Sequence, residues 1–219
     1  MAEILVINPN SSTAVTRSME RCLGPFDGNG HRIRCVELGD APPGIETDEH
    51  VSQVIPLLLD TVGSARADAI VISCFSDPGI DRIRAATPLP VTGIAEAAYL
   101  AALGLGKRFG IVSLGPSSIV RHRRYLEALK LERRLVGDRS LDMTIVELVA
   151  SNVVERVAHI GAALRDEDGA DVVILGCAGL GTYRAALQAE LGLPVIDPVQ
   201  AGVALACTHA ELRYVGRGR

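Results

Sequence analysis

The segment Ala67-Asp68-Ala69-Ile70-Val71-Ile72-Ser73-Cys74-Phe75-Ser76 decides the fold, and the chain repeats it as Ala170-Asp171-Val172-Val173-Ile174-Leu175-Gly176-Cys177-Ala178-Gly179. Each copy is a run of β-branched and aliphatic residues too short for a core helix, led by Ala-Asp and closed by small or turn-forming residues. That pattern predicts a central parallel strand buried on both faces, with a cysteine at its carboxyl end. In open α/β sheets ligands bind at that edge, because its loops face a crevice and the next helix offers unpaired backbone N–H groups. One cysteine after a strand reads most simply as a small packed hydrophobe. Two at matched positions are harder to dismiss.

The match extends outward in both directions. Leu89-Pro90-Val91 begins 15 residues after Cys74, and Leu193-Pro194-Val195 begins 16 residues after Cys177. Upstream, the strand and turn from Ile4 to Ser12 have a counterpart from Phe109 to Ser118. The shift is 106 residues from Ser11 to Ser117, 103 from Cys74 to Cys177 and 104 from Leu89 to Leu193, which marks an internal duplication.

The first half reads as strands at 4–7, 32–38, the run ending at Cys74, and 91–93. Helices follow as far as about Leu23, over 48–65 with a kink at Pro56, after Ser76-Asp77-Pro78-Gly79 with Ser76 or Asp77 as cap, and over 96–103. The second half repeats the order, with strands at 109–113, 131–136, 172–175 and 195–196 and helices at 117–129, 142–165, 179–191 and 198–212. Alternation of this kind predicts an α/β fold of two pseudo-symmetric, doubly wound parallel-sheet halves, 1–98 and 99–197, with the active site between them. The C-terminal stretch 198–219 is free to pack back on the first half.

Composition excludes several classes. With 48% hydrophobic and 22% charged residues, a net charge of -4 and a pI near 5.7, the chain has neither a disordered composition nor the basic excess of a nucleic-acid binder. Arg123-Arg124 and Arg133-Arg134 are interrupted by Glu127 and Glu132 and read as solvated helix faces. No apolar run approaches a membrane span, and Met1-Ala2-Glu3 lacks the basic start of a secretory signal, so a cytoplasmic address is expected. The five cysteines show no C-x-x-C spacing and should be free thiols; Cys22, Cys35 and Cys207 fall in helix or strand patterns and read as packing residues.

Two thiols on opposite sides of a small pocket could form a disulfide, bind a metal or relay protons. His31, His50, His122, His159 and His209 are scattered without ligand spacing, which argues against a metal. A redox pair would more usually be adjacent in sequence. Acid/base work is left: one thiolate removes a proton from carbon on one face and the other thiol returns one on the opposite face, inverting a stereocentre without a cofactor. Gly104 to Gly110 places its glycines before a strand, and Gly176 to Gly181 has the wrong order for a dinucleotide loop. Pyridoxal phosphate would need a Schiff-base lysine, and Lys107 and Lys130 both fall at ordinary surface positions.

Four motifs in order, Asn8-Pro9-Asn10-Ser11-Ser12 with Thr16, Cys74-Phe75-Ser76-Asp77-Pro78-Gly79, Gly93-Ile94-Ala95-Glu96-Ala97 and Leu175-Gly176-Cys177-Ala178-Gly179-Leu180, resemble the hydantoin racemase branch of the aspartate/glutamate racemase superfamily. The resemblance spans nearly the whole chain. It implies a two-domain α/β enzyme with Cys74 and Cys177 as the catalytic pair, no cofactor and, as is common among related racemases, homo-oligomeric assembly. Glutamate racemases carry Cys-Asn-Thr and Gly-Cys-Thr-His around their cysteines; this chain departs from both, which speaks against a free amino acid as substrate.

A 5-substituted hydantoin, or a close cyclic ureide such as allantoin, suits the chemistry. Its C5 proton lies beside a ring carbonyl, so removal gives an enolate that needs preorganised donors. The backbone N–H groups of Phe75, Ser76, Ala178 and Gly179 are candidates, at helix starts expected to lower the thiol pKa values. Asn8, Ser11, Ser117 and Ser118 are candidates for the polar ring edge, although capping their own helices explains the serines equally well. A non-catalytic small-molecule binding module is the alternative of another class.

Overall fold

The strand Glu3–Asn8 (β1) pairs in parallel on both sides, with Arg32–Glu37 (β2) and with Ala69–Ile72 (β3); β3 in turn pairs with Val91–Gly93 (β4). The second half repeats this with Phe109–Ser113 (β5), Leu135–Ser140 (β6), Val172–Leu175 (β7) and Val195–Ile196 (β8). The orders are β2-β1-β3-β4 and β6-β5-β7-β8, so each four-stranded sheet reverses direction of winding between its two central strands. A crevice opens outside the carboxyl ends of those strands. Cys74 follows β3 and Cys177 follows β7, so each lies at the switch point of its own sheet. The computed structural model describes residues 1–216; residues 217–219, the end of the stretch expected to pack back on the first half, lie outside the described residues.

Every residue of β3 and of β7 is buried, as the unbroken aliphatic runs require when helices cover both faces of a sheet. The helices are Thr13–Cys22 (α1), Asp48–Gly63 (α2), Ile80–Ala86 (α3), Ile94–Leu105 (α4), Pro116–Ala128 (α5), Ile145–Ala150 (α6), Val154–Asp166 (α7), Arg184–Leu191 (α8) and Pro198–Glu211 (α9). The halves share an apolar seam. Phe75 and the α4 residues Ala95, Ala98 and Tyr99 pack with Phe109, Ile111, Val172 and Ile174 of the second sheet, and the Tyr99 ring stacks on Phe109 with centroids 5.6 Å apart. α4 reaches β7 and β8, while α9 crosses back onto β1, β3 and β4. Gly202 permits that crossing, since a Cβ there would lie 2.9 Å from Ile94 Cγ2 and 3.1 Å from Val71 Cγ1.

Several expected boundaries move. The strand predicted at 131–136 begins at Leu135, because the Leu126 carbonyl captures the Leu131 N–H at 2.8 Å, Lys130 takes a left-handed φ of 59°, and Glu132–Arg134 form a 3-10 turn. β6 ends in Asp138-Arg139-Ser140, poor strand formers held by side-chain partners: Asp138 by His122, and Arg139 by Asp168 and Glu167. The helix predicted over 142–165 breaks at Ser151-Asn152, where the Asn152 side chain accepts from Val154 N in place of a helical carbonyl. After Cys177 the chain winds first as a 3-10 stretch, Ala178–Tyr183, and only then as α8. α3 is not capped by Ser76 or Asp77; its N-cap is Gly79, in the left-handed region at φ 66°.

Candidate active site

The turn that carries Cys74 is fixed at both ends. Ser73 N donates to the Ile7 carbonyl at 2.8 Å, and Asp77 N donates back to the Cys74 carbonyl at 2.9 Å, with Asp77 itself at a left-handed φ of 42°. The Asp77 carboxylate then accepts from Ala95 N at 3.0 Å, Glu96 N at 2.9 Å and the Tyr125 hydroxyl at 3.1 Å. It therefore caps α4 instead of its own helix and ties the cysteine turn to α5 of the second half. Burial pushes Asp77 up to about 7 despite those donors. Gly93 makes room for it: a Cβ there would collide with the Asp77 carboxylate.

The Cys177 turn is built on Gly176, whose N–H donates to the Val112 carbonyl at 2.8 Å. A Cβ on Gly176 would sit 2.8 Å from that same carbonyl oxygen, so only glycine fits beside β5. Ser18 of α1 donates to the Gly179 carbonyl at 3.3 Å and pins this turn to the first half.

Both turns open on one cavity of ≈ 50 Å³, room for a few water molecules at roughly 10–15 Å³ each. Cys74, Phe75, Ser76, Ser118, Cys177 and Ala178 of the residues expected from sequence line it. Asn8, Ser11, Ser117 and Gly179 do not line it. The Asn8 side chain is fully buried and donates to Asn10 Oδ1 at 2.9 Å and Thr16 Oγ1 at 3.1 Å, so it shapes the loop that puts Asn10 on the cavity. Ser11 holds the Pro42 carbonyl through its N–H at 3.0 Å, and Ser12 is the residue that caps α1. Ser117 Oγ donates to the Glu46 carbonyl at 2.8 Å. Gly179 N–H points at Cys177 Sγ, 3.3 Å away, and so serves the sulfur.

Among the lining residues that escape the sequence reading are Asn10, Arg121 and His122. Asn10 is overshadowed there by Asn8. Arg121 and His122 lie three and four residues beyond Ser118, the spacing that shares a helix face, and that periodicity is the available signal. His122 Nδ1 is 2.9 Å from Asp138 Oδ2, both side chains being buried, and its ring meets Phe75 edge-on at 5.0 Å. Ser113 Oγ bonds both members of that pair. The segment Ala41-Pro42-Pro43-Gly44 and the residues after it lie over the strand ends: Glu46 takes hydrogen bonds from Ser117, Arg121 and Ile145 N, and Ile45 lines the cavity.

The thiols do not have the lowered pKa values expected of helix starts. Burial pushes Cys177 up to about 12, and the single N–H of Gly179, opening a 3-10 stretch, offsets little of it. Cys74 is also raised by burial, opposed by hydrogen bonds from Ser76 and by the charge of Arg121. Cys74 Sγ is 3.3 Å from Ser76 Oγ.

Residues 4–206 match the family described as Asp/Glu/Hydantoin racemase. The chain is 32% identical to the hydantoin racemase of Pseudomonas sp. (strain NS671) over 96% of this chain and 86% of that protein, and 33% identical to the hydantoin racemase of Paenarthrobacter aurescens over 96% and 92%. Among solved structures it superposes on allantoin racemase from Klebsiella pneumoniae with a TM-score of 0.94 at 29% identity, covering 99% of this chain and 90% of that one. Unliganded arylmalonate decarboxylase, at 20% identity and a TM-score of 0.66, shares the fold. By a match that runs from β1 into α9, this chain belongs to the Asp/Glu/hydantoin racemase family.

Proposed function

We propose that this isomerase inverts C5 of 5-substituted hydantoins, including the hydantoin ring within allantoin, by cofactor-independent proton transfer between Cys74 and Cys177. The observation that carries this reading is the pair itself: two thiols, each at the carboxyl end of the equivalent strand of a duplicated half, on one small cavity. One sulfur, as thiolate, takes the C5 proton on its face. The other, as thiol, returns a proton on the far face.

Burial of both sulfurs makes the charged forms costly to reach but strong as bases, which suits a weak carbon acid. Enolate charge gathers on the ring carbonyl oxygen. The backbone N–H groups of Phe75, Ser76 and Ala178, on the cavity wall, are the donors for it, with Ser118 and Asn10 for the ureide edge. Val15, Ile45, Leu114 and Ile145 supply apolar wall for the 5-substituent.

The test is loss of optical rotation of resolved 5-substituted hydantoins and allantoin by the full chain, without added cofactor and against the spontaneous rate. Constant rotation across hydantoins, allantoin and acidic amino acids leaves the racemase reading without support and favours a non-catalytic binding module.

A further inference from the structure

Arg121 is out of place for an ordinary surface arginine. It projects from α5 onto the cavity wall with 9% of its surface exposed, and none of the ion pairs among the described residues includes it. Its Nη1 donates to the Glu46 carbonyl at 2.8 Å and its Nη2 to Ser118 Oγ at 3.2 Å, both neutral acceptors. Its Nε is buried with no partner. An arginine stays charged, and although the Asp48 and Glu46 carboxylates act on it from beyond pairing distance, a buried charge without a paired counter-charge is among the more expensive features a fold can carry. A guanidinium held this way beside a thiol points to an anion at that thiol.

Resting on the two-cysteine reading of the site, we propose that Arg121 is the counter-charge of the Cys74 sulfur: it makes Cys74 the thiolate of the resting pair and leaves Cys177 the thiol. The two sulfurs sit in fields of opposite character. Cys74 faces the Arg121 cation and the Ser76 hydroxyl, against the Asp77 carboxyl behind its own turn, which opposes the thiolate once it ionises above about pH 7 but whose charge is turned to the Ala95 and Glu96 N–H groups and the Tyr125 hydroxyl. The other titratable groups on this side of α5 have partners of their own: His122 is bonded to Asp138, Arg124 to Asp48 and Tyr125 to Asp77. Cys177 faces Cys74, Asp197 at the start of α9 and Glu46 from the overlying segment, all of which disfavour its thiolate, with the Gly179 N–H as the opposing donor. A single negative charge shared between the two sulfurs therefore settles on Cys74. Two thiolates on one cavity would repel, which keeps the second proton on Cys177. The free enzyme thus starts with one base and one acid already assigned, as a transfer in one direction requires; that transfer leaves Cys74 protonated and Cys177 as the thiolate, the state from which the opposite direction starts.

The experiment is alkylation of the reduced full-length protein with iodoacetamide from pH 6 to pH 11, each cysteine quantified by peptide mass spectrometry. Cys74 should react at a lower pH than Cys177. In Arg121→Gln the Cys74 profile should move up by about one pH unit or more, an approximately tenfold slower reaction at pH 8, while the Cys177 profile stays in place. Arg121→Lys, which keeps the charge, should retain the wild-type order. A purely structural arginine, holding the segment around Glu46, would shift both cysteines together on its loss, and that result overturns the proposal. So does an unmoved Cys74 profile in Arg121→Gln, or Cys177 reacting at the lower pH in the wild type. If Arg121→Gln does not fold, the wild-type order and its retention in Arg121→Lys decide the matter. The shift without racemisation of any ureide would sink the racemase reading and leave this role standing; racemisation with an unmoved Cys74 profile would do the reverse.

Discussion

Asp77 should make this protein lose stability as pH rises through neutrality, and Asp77→Asn should remove most of that loss. The carboxyl is buried beneath the Cys74 turn and held at about 7 against an ordinary 3.8. A group whose folded pKa is raised contributes stability that is complete below the unfolded pKa and disappears as pH climbs through the folded one. Between pH 5 and pH 8 about two units of that difference are traversed, which at about 1.36 kcal/mol per unit is a loss of about 2.5 kcal/mol. Asp197, raised to about 6 by burial, adds a smaller loss of about 1.4 kcal/mol over the same window. Asp48, Glu147, Asp166 and Asp168 are shifted down and finish titrating below this range. His209, lowered by burial, acts in the opposite sense but equally in both proteins.

The assay is urea unfolding of wild type and Asp77→Asn at pH 5 and pH 8. The amide leaves one of the two backbone donors at α4 poorly served, a cost of about 1–3 kcal/mol at either pH. That cost cancels in the difference between pH values. The wild type should lose about 2.5 kcal/mol more than the variant between pH 5 and pH 8. Equal losses in the two proteins would refute a raised carboxyl at Asp77.

Cys74→Ser and Cys177→Ser should each abolish net racemisation, because an alcohol is too weak an acid to replace the thiol, while in deuterated water each exchanges the C5 proton of one enantiomer with retention. Proton NMR of both enantiomers reads this, and a variant that still exchanges both would point to a single base with a rotating enolate. Gly176→Ala should cost about 1–3 kcal/mol through overpacking against β5 and lower kcat further by displacing Cys177, read as a thermal shift alongside the rotation assay. Racemisation should survive exhaustive dialysis against a chelator and show no pyridoxal absorbance; loss that a divalent metal restores would replace the two-thiol mechanism.

The duplication made the fold legible. Two Ala-Asp-aliphatic-Cys runs and two Leu-Pro-Val strands at nearly one shift are enough to place eight parallel strands in two sheets, since a parallel strand buried on both faces has little alternative to that pattern. The one strand misplaced, β6, is an edge strand whose residues answer to tertiary partners: Asp138 pairs with His122, and Arg139 with Asp168. Nothing local to Gly137-Asp138-Arg139-Ser140 announces a strand. The site divided the same way. The cysteines, Phe75, Ser76 and Ala178 are placed by strand ends, but whether Asn8 or Asn10 faces the cavity depends on a loop closed by Thr16 one helical turn later. Asp77 reads locally as a cap, and it is one, for a helix that begins at Ile94.

Duplication also sets the problem the site must solve. Two copies of one strand-and-turn supply two thiols, but identical surroundings would give them equal affinity for a proton, and a resting pair with no preferred charge holds no defined base. The second copy keeps the sulfur and changes the three residues after it: Phe75-Ser76-Asp77 becomes Ala178-Gly179-Leu180. Both turns offer the sulfur a backbone N–H two residues on, but the first adds a hydroxyl at its sulfur and a buried carboxyl that locks it to α4 and α5, whereas the second adds only a close approach of small residues to α1. α5 then adds Arg121 and His122 to the shared wall, and among the described residues the corresponding early turns of α1 present Val15 there. The fold's symmetry places both sulfurs at switch points of equivalent sheets. Their chemical inequality comes from side chains that the duplicated halves do not share, and under the two-thiol mechanism proposed above that inequality would set the direction of the first proton transfer.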